Sequence, residues 1–440
     1  MQKYDILIIG GGPAGMTITK TIKNEREIGI IRPEDHSMVY CAMPYVIEDL
    51  LPYEKTLKED SIVTDTGADL IRDKAVEIDF ENKLVKTEKN EEYSYNDLVI
   101  ATGADPILPP IPGTELDNVM TFKNEGDLQK ILDIVDEGIE NVSVVGAGAI
   151  GNELAQALNE KDINTNLIDM MPTILPNILD PEMVEEPEKH LEELGINLHL
   201  DKEVVELKGD SSVESIVLSG EQEVKSDLVV FAVGMSPAVD FLKESDLEIE
   251  KDGIVVNSKM ETNLDNVYAV GDCVQYESAI IDEVISGKLA TNAVTMARTL
   301  AANLLGENRN YEGFYNGAAT KVGDYYVGST GLNEKLAAEN FEIITSYQEF
   351  TTAFPIMPFA KKVKVKLIVN KENGKVLGGQ FVSGEAVTDK VDKITMAIQY
   401  DIDVFELRDL SYSSQPYQSF YPAHNLIAKA AEKAAAKLEN

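Results

Sequence analysis

The sequence predicts an α/β chain in which two doubly wound, parallel-sheet units precede an α+β unit, and three observations predict it. The stretch YDILIIGGGPAGMTITKTIK, from Tyr4, recurs in pattern as NVSVVGAGAIGNELAQALNE, from Asn141. Each copy runs an apolar strand into three spaced glycines and then an amphipathic helix, with a further strand after it (Ile28–Ile31 and Asn166–Ile168). From about residue 314 the pattern changes to alternating strands such as KKVKVKLIVN and a final alanine- and lysine-rich helix. A length of 440 residues accommodates such a division into several domains.

Taken in order, the first glycine set is Gly10, Gly12 and Gly15. Glycine there lets the backbone turn tightly, lets a pyrophosphate approach, and lets the helix sit close on the strand. The helix N-terminus then offers free N–H groups and a positive dipole end. The second set, Gly146, Gly148 and Gly151, repeats the arrangement, so the chain holds two Rossmann-like dinucleotide sites. After the second site, strand NTNLID ends at Asp169, where an acid binds ribose hydroxyls and repels a 2′-phosphate; Met170, Met171 and Pro172 follow without an arginine. That predicts NADH over NADPH. The first site is less regular: EIGIIR ends at Arg32, with Glu34 the nearest acid, and either residue is a candidate for the adenosine end.

Two further strands tie the halves together. YNDLVIATGADPILPPIPG ends in Ala101-Thr102-Gly103 before a proline-rich crossing. NLDNVYAVGDCV ends in Gly271-Asp272, with a helical run expected next; Asp272 is either a ligand for cofactor hydroxyls or an N-cap. In KKVKVKLIVN, Lys362, Lys364 and Lys366 alternate with Val363, Val365 and Leu367, which predicts a half-exposed strand with a solvated lysine face, the alternative being that the three lysines hold an anionic group.

Composition narrows the function. The formal charge of −38 argues against nucleic-acid binding and against docking on anionic membranes, both of which need basic patches, and suits a salt-rich cytosol. No apolar run approaches the roughly 18 residues of a membrane span. The two cysteines, Cys41 and Cys273, are too scattered for a disulfide framework or a metal site, and they suit a reducing, cytoplasmic compartment. Cys41 stands in MVYCAMPYVI, with Pro44 suited to the first turn of a helix just beyond it. Cys273 reads as a packed core residue.

In this order, the two glycine motifs, the ATG strand, VYAVGD and a C-terminal α+β region resemble the FAD-dependent pyridine nucleotide–disulfide oxidoreductases over nearly the whole chain. The paired CxxxxC of many members is missing. Cys41-Ala-Met-Pro44-Tyr45 is similar instead to the CALPY-type motif of the single-cysteine branch, which includes coenzyme A-disulfide reductases, sulfur or polysulfide oxidoreductases, and NADH oxidases and peroxidases. VGSTGLNE, VLGGQFVSGEAVTDKVDKI and DLSYSSQPYQSFYPAHN resemble that branch's interface domain and its tyrosine-bearing C-terminal segment.

The resemblance implies an FAD-binding domain at 1–116 and 250–313, an NAD-binding domain at 117–249, and a C-terminal α+β dimerisation domain at 314–440. It implies FAD on Gly10, Gly12, Pro13, Ala14, Gly15, Ala101, Thr102, Gly103, Gly271 and Asp272. It places NADH on Gly146, Gly148, Ile150, Gly151, Glu153, Asp169 and Gly234. In the implied homodimer, Tyr412 or Tyr417, with Tyr421 an alternative to Tyr417, sits near the partner's thiol. Electrons then pass from NADH through FAD to Cys41, which reduces a low-molecular-weight disulfide, such as coenzyme A disulfide, or a polysulfide. Coenzyme A is thus a candidate substrate or adduct, with Lys361, Lys362, Lys390 and Lys393 as candidate phosphate ligands. The rival readings are an NADH oxidase or peroxidase cycling a Cys41 sulfenate, and a redox-sensing flavoprotein with incidental turnover. Pro13, where peroxidases carry a histidine, weighs against the peroxidase.

Overall fold

The computed structural model describes residues 1–285, 287–419 and 422–439. Three large sheets organise it. In the first, Asp69–Ile71, Ile28–Ile31, Gln2–Ile9 and Glu92–Ile100 lie side by side in parallel, and Val267–Ala269 joins the C-terminal half of Glu92–Ile100. The N-terminal half of Glu92–Ile100 extends past that pairing into an antiparallel ribbon with Leu84–Thr87 and Ala75–Asp79. The second sheet is wholly parallel, in the order Val119–Thr121, Leu228–Phe231, Asn141–Val145, Asn164–Ile168, Asn197–His199. Ile28–Ile31 and Leu228–Phe231 are buried at every residue, which is why they read as unbroken apolar runs and not as alternating ones.

The third sheet is antiparallel: Ala318–Val322, Tyr325–Gly331, Val376–Ser383, Lys362–Asn370, Ile343–Thr351. Val363, Val365 and Leu367 point into a core shared with Ala430 and Ala434 of the helix Leu426–Leu438. Asn425 caps that helix by accepting from the N–H groups of Ile427 and Ala428.

The opposite face of Lys362–Asn370 corrects the solvated reading. The side chain of Lys366 is only 2% exposed. Its ammonium lies 2.7 Å from Asp180 and also pairs with Glu182 and Glu334. Lys364 lies 3.1 Å from Glu186, and Lys362, which remains exposed, 3.3 Å from it. Asp180, Glu182 and Glu186 belong to the start of the helix Pro181–Glu193, in the segment leading out of the second sheet. The period-two pattern correctly put the lysines on one face. It could not show that a distant acidic helix covers that face.

Replacing Lys366 leaves Asp180 buried without its cation, while Glu182 and Glu334, about half exposed, recover water. We expect Lys366→Ala to lower the unfolding free energy by about 3 kcal/mol, measured by urea denaturation. Burial raises the Glu182 pKa, but its hydrogen bond from Lys366 outweighs this and holds the carboxyl below the usual range. A depressed carboxylate stabilises the fold fully above about pH 4.3 and loses that contribution as pH falls through its folded pKa. The wild type should therefore lose stability more steeply than the variant below about pH 4.3. Equal slopes would rule this account out.

Candidate active site

Both glycine loops are shaped by backbone contact. Gly10 has φ +118° and Gly146 φ +108°. A Cβ on Gly10 would fall 2.1 Å from the Ala101 carbonyl oxygen, and one on Gly146 2.4 Å from that of Ala232. Each loop therefore crosses directly over the end of the neighbouring parallel strand. At Gly12 and Gly148 a Cβ would meet nothing within 4 Å, so these positions face open space at the mouth of each loop. The helices that follow, Pro13–Ile22 and Ala149–Asn159, begin without a side-chain cap, which leaves first-turn N–H groups for an anion. Beside the first loop, the Thr102 hydroxyl is buried and has no hydrogen-bond partner in the chain. A buried donor without a partner, next to an uncapped helix and an open glycine cradle, fits a bound dinucleotide.

The two loops differ where the strand after each helix ends. In the second, Asp169 turns back on its own loop, accepting from the Ala147 N–H at 2.6 Å and the Met171 N–H at 2.8 Å. In the first, Arg32 occupies the corresponding place and is 1% exposed. Its guanidinium donates to the Glu34 carbonyl, Ser37 and Asp60, at 3.0, 2.6 and 2.8 Å. Its side chain runs under Gly11, where a Cβ would lie 2.4 Å from Arg32 Cδ. That contact explains why the first motif needs a glycine where the second has Ala147. Arg32 is thus spent on shaping the loop, while Glu34 is exposed.

Gly103, Gly234 and Gly271 each take a positive φ at the end of a strand. Gly103 and Gly234 anchor a short antiparallel ribbon, Ala104–Pro106 with Met235–Pro237, that joins the two crossings between the first and second sheets. Gly271 lodges against Ala14 and Ala293, whose Cβ atoms would lie 3.4 and 3.5 Å from its own. Asp272 accepts from the Tyr276 hydroxyl at 2.9 Å, and its backbone carbonyl accepts from the Lys288 ammonium at 2.8 Å. The helical run expected after Asp272 is replaced by turns and irregular backbone, and the next helix, Ala290–Leu304, is preceded by Leu289. Asp272 therefore caps no helix, which removes the N-cap alternative.

Cys41 sits on the short turn Tyr40–Ala42 that leads into Met43–Ile47, with Pro44 in its first turn as the sequence predicts. Cys41 is exposed and Cys273 is buried. The Cys273 thiol lies 3.3 Å from the Val270 carbonyl, and burial pushes its pKa up. The Cys41 turn is held by Met38, Met43, Val46 and Ile47, which join a core with Leu154 and Leu158 of the second loop's helix. Tyr45 and Glu48 follow Cys41 by four and seven residues, in and just after the helix Met43–Ile47. Burial, the Glu153 carboxylate and Cys41 itself raise the Tyr45 pKa and keep its hydroxyl protonated. Burial raises the Glu153 pKa as well, against the hydrogen bond its carboxylate accepts from Thr320 at 2.5 Å. Tyr45 thus feels the charge of both Cys41 and Glu153, and Glu153 is held by Thr320 of the third sheet. Tyr45 belongs to the CALPY-type motif, whereas Glu48 and Thr320 lie outside the sequence motifs.

Ile150, on the second loop, is 45% exposed and lies open to a ligand. Tyr412 donates to the Pro422 carbonyl at 2.8 Å, Tyr417 packs on Phe359 with ring centroids 5.0 Å apart, and Tyr421 lies outside the described residues. Three of the four candidate phosphate-binding lysines are already paired: Lys362 with Glu186, and Lys390 and Lys393 with Asp389.

The family model for pyridine nucleotide-disulphide oxidoreductases matches residues 4–297, and the model for that family's dimerisation domain matches residues 318–419. The chain belongs to this family and is an NAD(P)H-dependent flavoprotein oxidoreductase; the family implies FAD, and the dimerisation domain implies a homodimer. It is 34% identical over 454 residues to an NADH oxidase of Methanocaldococcus jannaschii, covering 99% of each chain. It is 30% identical over 434 residues to a CoA-dependent NAD(P)H sulfur oxidoreductase of Pyrococcus furiosus, covering 94% of this chain and 96% of that one. Its fold is similar to that of an NAD-dependent persulfide reductase from A. fulgidus, with TM-score 0.94, 29% identity and coverage of 99% and 84%. Among the described residues, no helix is long and apolar enough to cross a membrane.

Gly146→Ala places a Cβ against the Ala232 carbonyl at a strained φ, a cost of about 1–3 kcal/mol. We expect the KM for NADH to rise about tenfold or more, with FAD content, read by absorbance, unchanged. Loss of FAD together with NADH binding would show that the two loops do not act separately.

Proposed function

We propose that this chain is an FAD-dependent reductase that draws electrons from NADH and reduces a low-molecular-weight disulfide or polysulfide through Cys41. One observation carries the reading: Cys41 is exposed on an anchored turn, and the other cysteine, Cys273, is buried. A solitary thiol has no internal partner, so the second sulfur must arrive with the substrate.

The first loop, with Thr102 and Asp272, would hold FAD, and Arg32 and Glu34 lie at its adenosine end. The second loop, with Glu153, Gly234 and Asp169, would hold NADH. FAD, when bound, supplies the two-electron relay between nicotinamide and sulfur. The Cys41 thiolate attacks one sulfur of RS–SR, forming Cys41–S–S–R and releasing RS⁻, which takes up a proton. The electron pair from NADH then cleaves that bond, restoring the Cys41 thiolate and releasing a second RS⁻. Tyr412 or Tyr417, contributed by a second copy of the chain, protonates the leaving thiolate as general acid. Disulfides such as coenzyme A disulfide and polysulfides both meet this requirement, and the ion pairs on Lys362, Lys390 and Lys393 favour a substrate that does not need those lysines.

The likeness to an NADH oxidase favours a second reading, in which Cys41 cycles through a sulfenate with oxygen as acceptor. Anaerobic NADH consumption separates the two. We expect turnover that requires added disulfide or polysulfide and falls about a hundredfold or more in Cys41→Ser, with FAD retained. Consumption with oxygen alone, at high turnover, would replace the reductase by the oxidase.

A further inference from the structure

Lys288 lies outside both glycine motifs, and its surroundings give it a place in the flavin site. After the strand Val267–Ala269 the chain turns at Gly271, which is lodged between Ala14 of the first loop's helix and Ala293 of the helix Ala290–Leu304. The carbonyl of Asp272 thus sits where three elements meet. Lys288 donates to that carbonyl at 2.8 Å, and its ammonium lies 5.5 Å from the centroid of the Tyr276 ring. Tyr276 in turn donates to the Asp272 carboxylate at 2.9 Å. Both ends of Asp272 are held by one clamp.

Sheet order shows which end of a dinucleotide this clamp would meet. The pyrophosphate belongs at the start of the helix Pro13–Ile22, and the adenosine end at the tip of the strand Ile28–Ile31, on one side of Gln2–Ile9. The other half of the cofactor must then run the opposite way, across the tips of Glu92–Ile100 and Val267–Ala269. Gly103 and Asp272 stand at those two tips, so Lys288 faces the half that carries the flavin. The helix Ala290–Leu304 begins two residues later without a side-chain cap, and its positive end adds to the ammonium.

We propose that Lys288 is a positioning residue of the flavin site, which fixes the Asp272 loop and places a positive charge where reduced flavin accumulates negative charge. This rests on the reading of the first loop as an FAD site. A lysine ammonium has three donors, and the Asp272 carbonyl takes one, which leaves others for a ligand oxygen or nitrogen. Burial lowers the Lys288 pKa against the opposing pull of Asp272, Cys273 and Asp252. A half-buried charge interacts more strongly with a new neighbour than one in open water.

The test compares flavin-loaded wild type, Lys288→Met and Lys288→Arg by FAD absorbance, sulfite affinity and reduction potential from anaerobic dye equilibration. Sulfite bonds more tightly to a flavin with a positive charge beside its pyrimidine ring, so it reports that charge without turnover. We expect Lys288→Met to retain FAD, to bind sulfite about tenfold more weakly, and to show a potential lower by about 30 mV, the tenfold equivalent for a two-electron couple. Lys288→Arg should restore both. If methionine lowers FAD retention, Lys288→Gln carries the comparison. Wild-type sulfite affinity and potential in the uncharged variants would overturn the proposal, as would loss of FAD from all of them. Wild-type protein that takes up no FAD would defeat the reading of the loop instead.

Discussion

Two backbone approaches, too close for any side chain, set the geometry of this molecule. Gly10 passes over the Ala101 carbonyl and Gly146 over that of Ala232. Each contact lets a loop leave its strand, cross the end of the neighbouring parallel strand and enter a helix without a gap. The next pair of contacts follows from the first: a Cβ on Gly15 would lie 2.2 Å from the Gly10 carbonyl oxygen, and one on Gly151 1.7 Å from that of Gly146. Strand, loop and helix are locked at main-chain distance, and the uncapped helix starts are left pointing at open space. Once those contacts are in place, the position of each helix start against its sheet is narrowly constrained.

The thiol depends on a different device. Cys41 belongs to the chain between strands of the first sheet, yet the methionines and aliphatic residues around it pack with the helix of the second glycine loop. Apolar burial of Met43 and Ile47 therefore anchors the turn of an exposed cysteine against the helix that carries Glu153, which is itself held by Thr320. This short turn and helix thus share one core with residues of the second and third sheets. On the proposed function, nicotinamide, flavin and sulfur would each be presented by a different part of the chain, and such an alignment needs this rigidity.

Charge is handled in the same way, by pairing across distant segments. In a chain with a formal charge of −38, Lys366 gathers three carboxylates around one buried ammonium and joins the start of the helix Pro181–Glu193 to the antiparallel sheet. Removing water from that lysine is unfavourable, and three acceptors offset the loss. The loop before this helix leads from Asp169, at the end of the strand Asn164–Ile168. In the first glycine loop the Arg32 side chain fills the space under Gly11.

By itself the sequence determined the elements whose signal is local. The strand–glycine–helix repeats, the extended KKVKVKLIVN and the packed Cys273 all follow from spacing, hydrophobic period and residue chemistry within a short window, whereas the exposure of Cys41 was shown by the structure. The acid at the end of the second motif's strand was legible for the same reason. What only the tertiary structure decided depends on contacts between remote segments. Alternation assigned the lysines of Lys362–Asn370 to one face, but the cover for that face comes from the helix Pro181–Glu193. The course of the Arg32 side chain was decided by Ser37 and Asp60, which draw the guanidinium inward. Asp272 lost its helix and acquired Tyr276 and Lys288, because the backbone after it takes turns that no periodic pattern encodes. Local sequence selects local conformation through backbone sterics and the hydrophobic period. Burial of a charge is settled only when a distant segment arrives to pair with it.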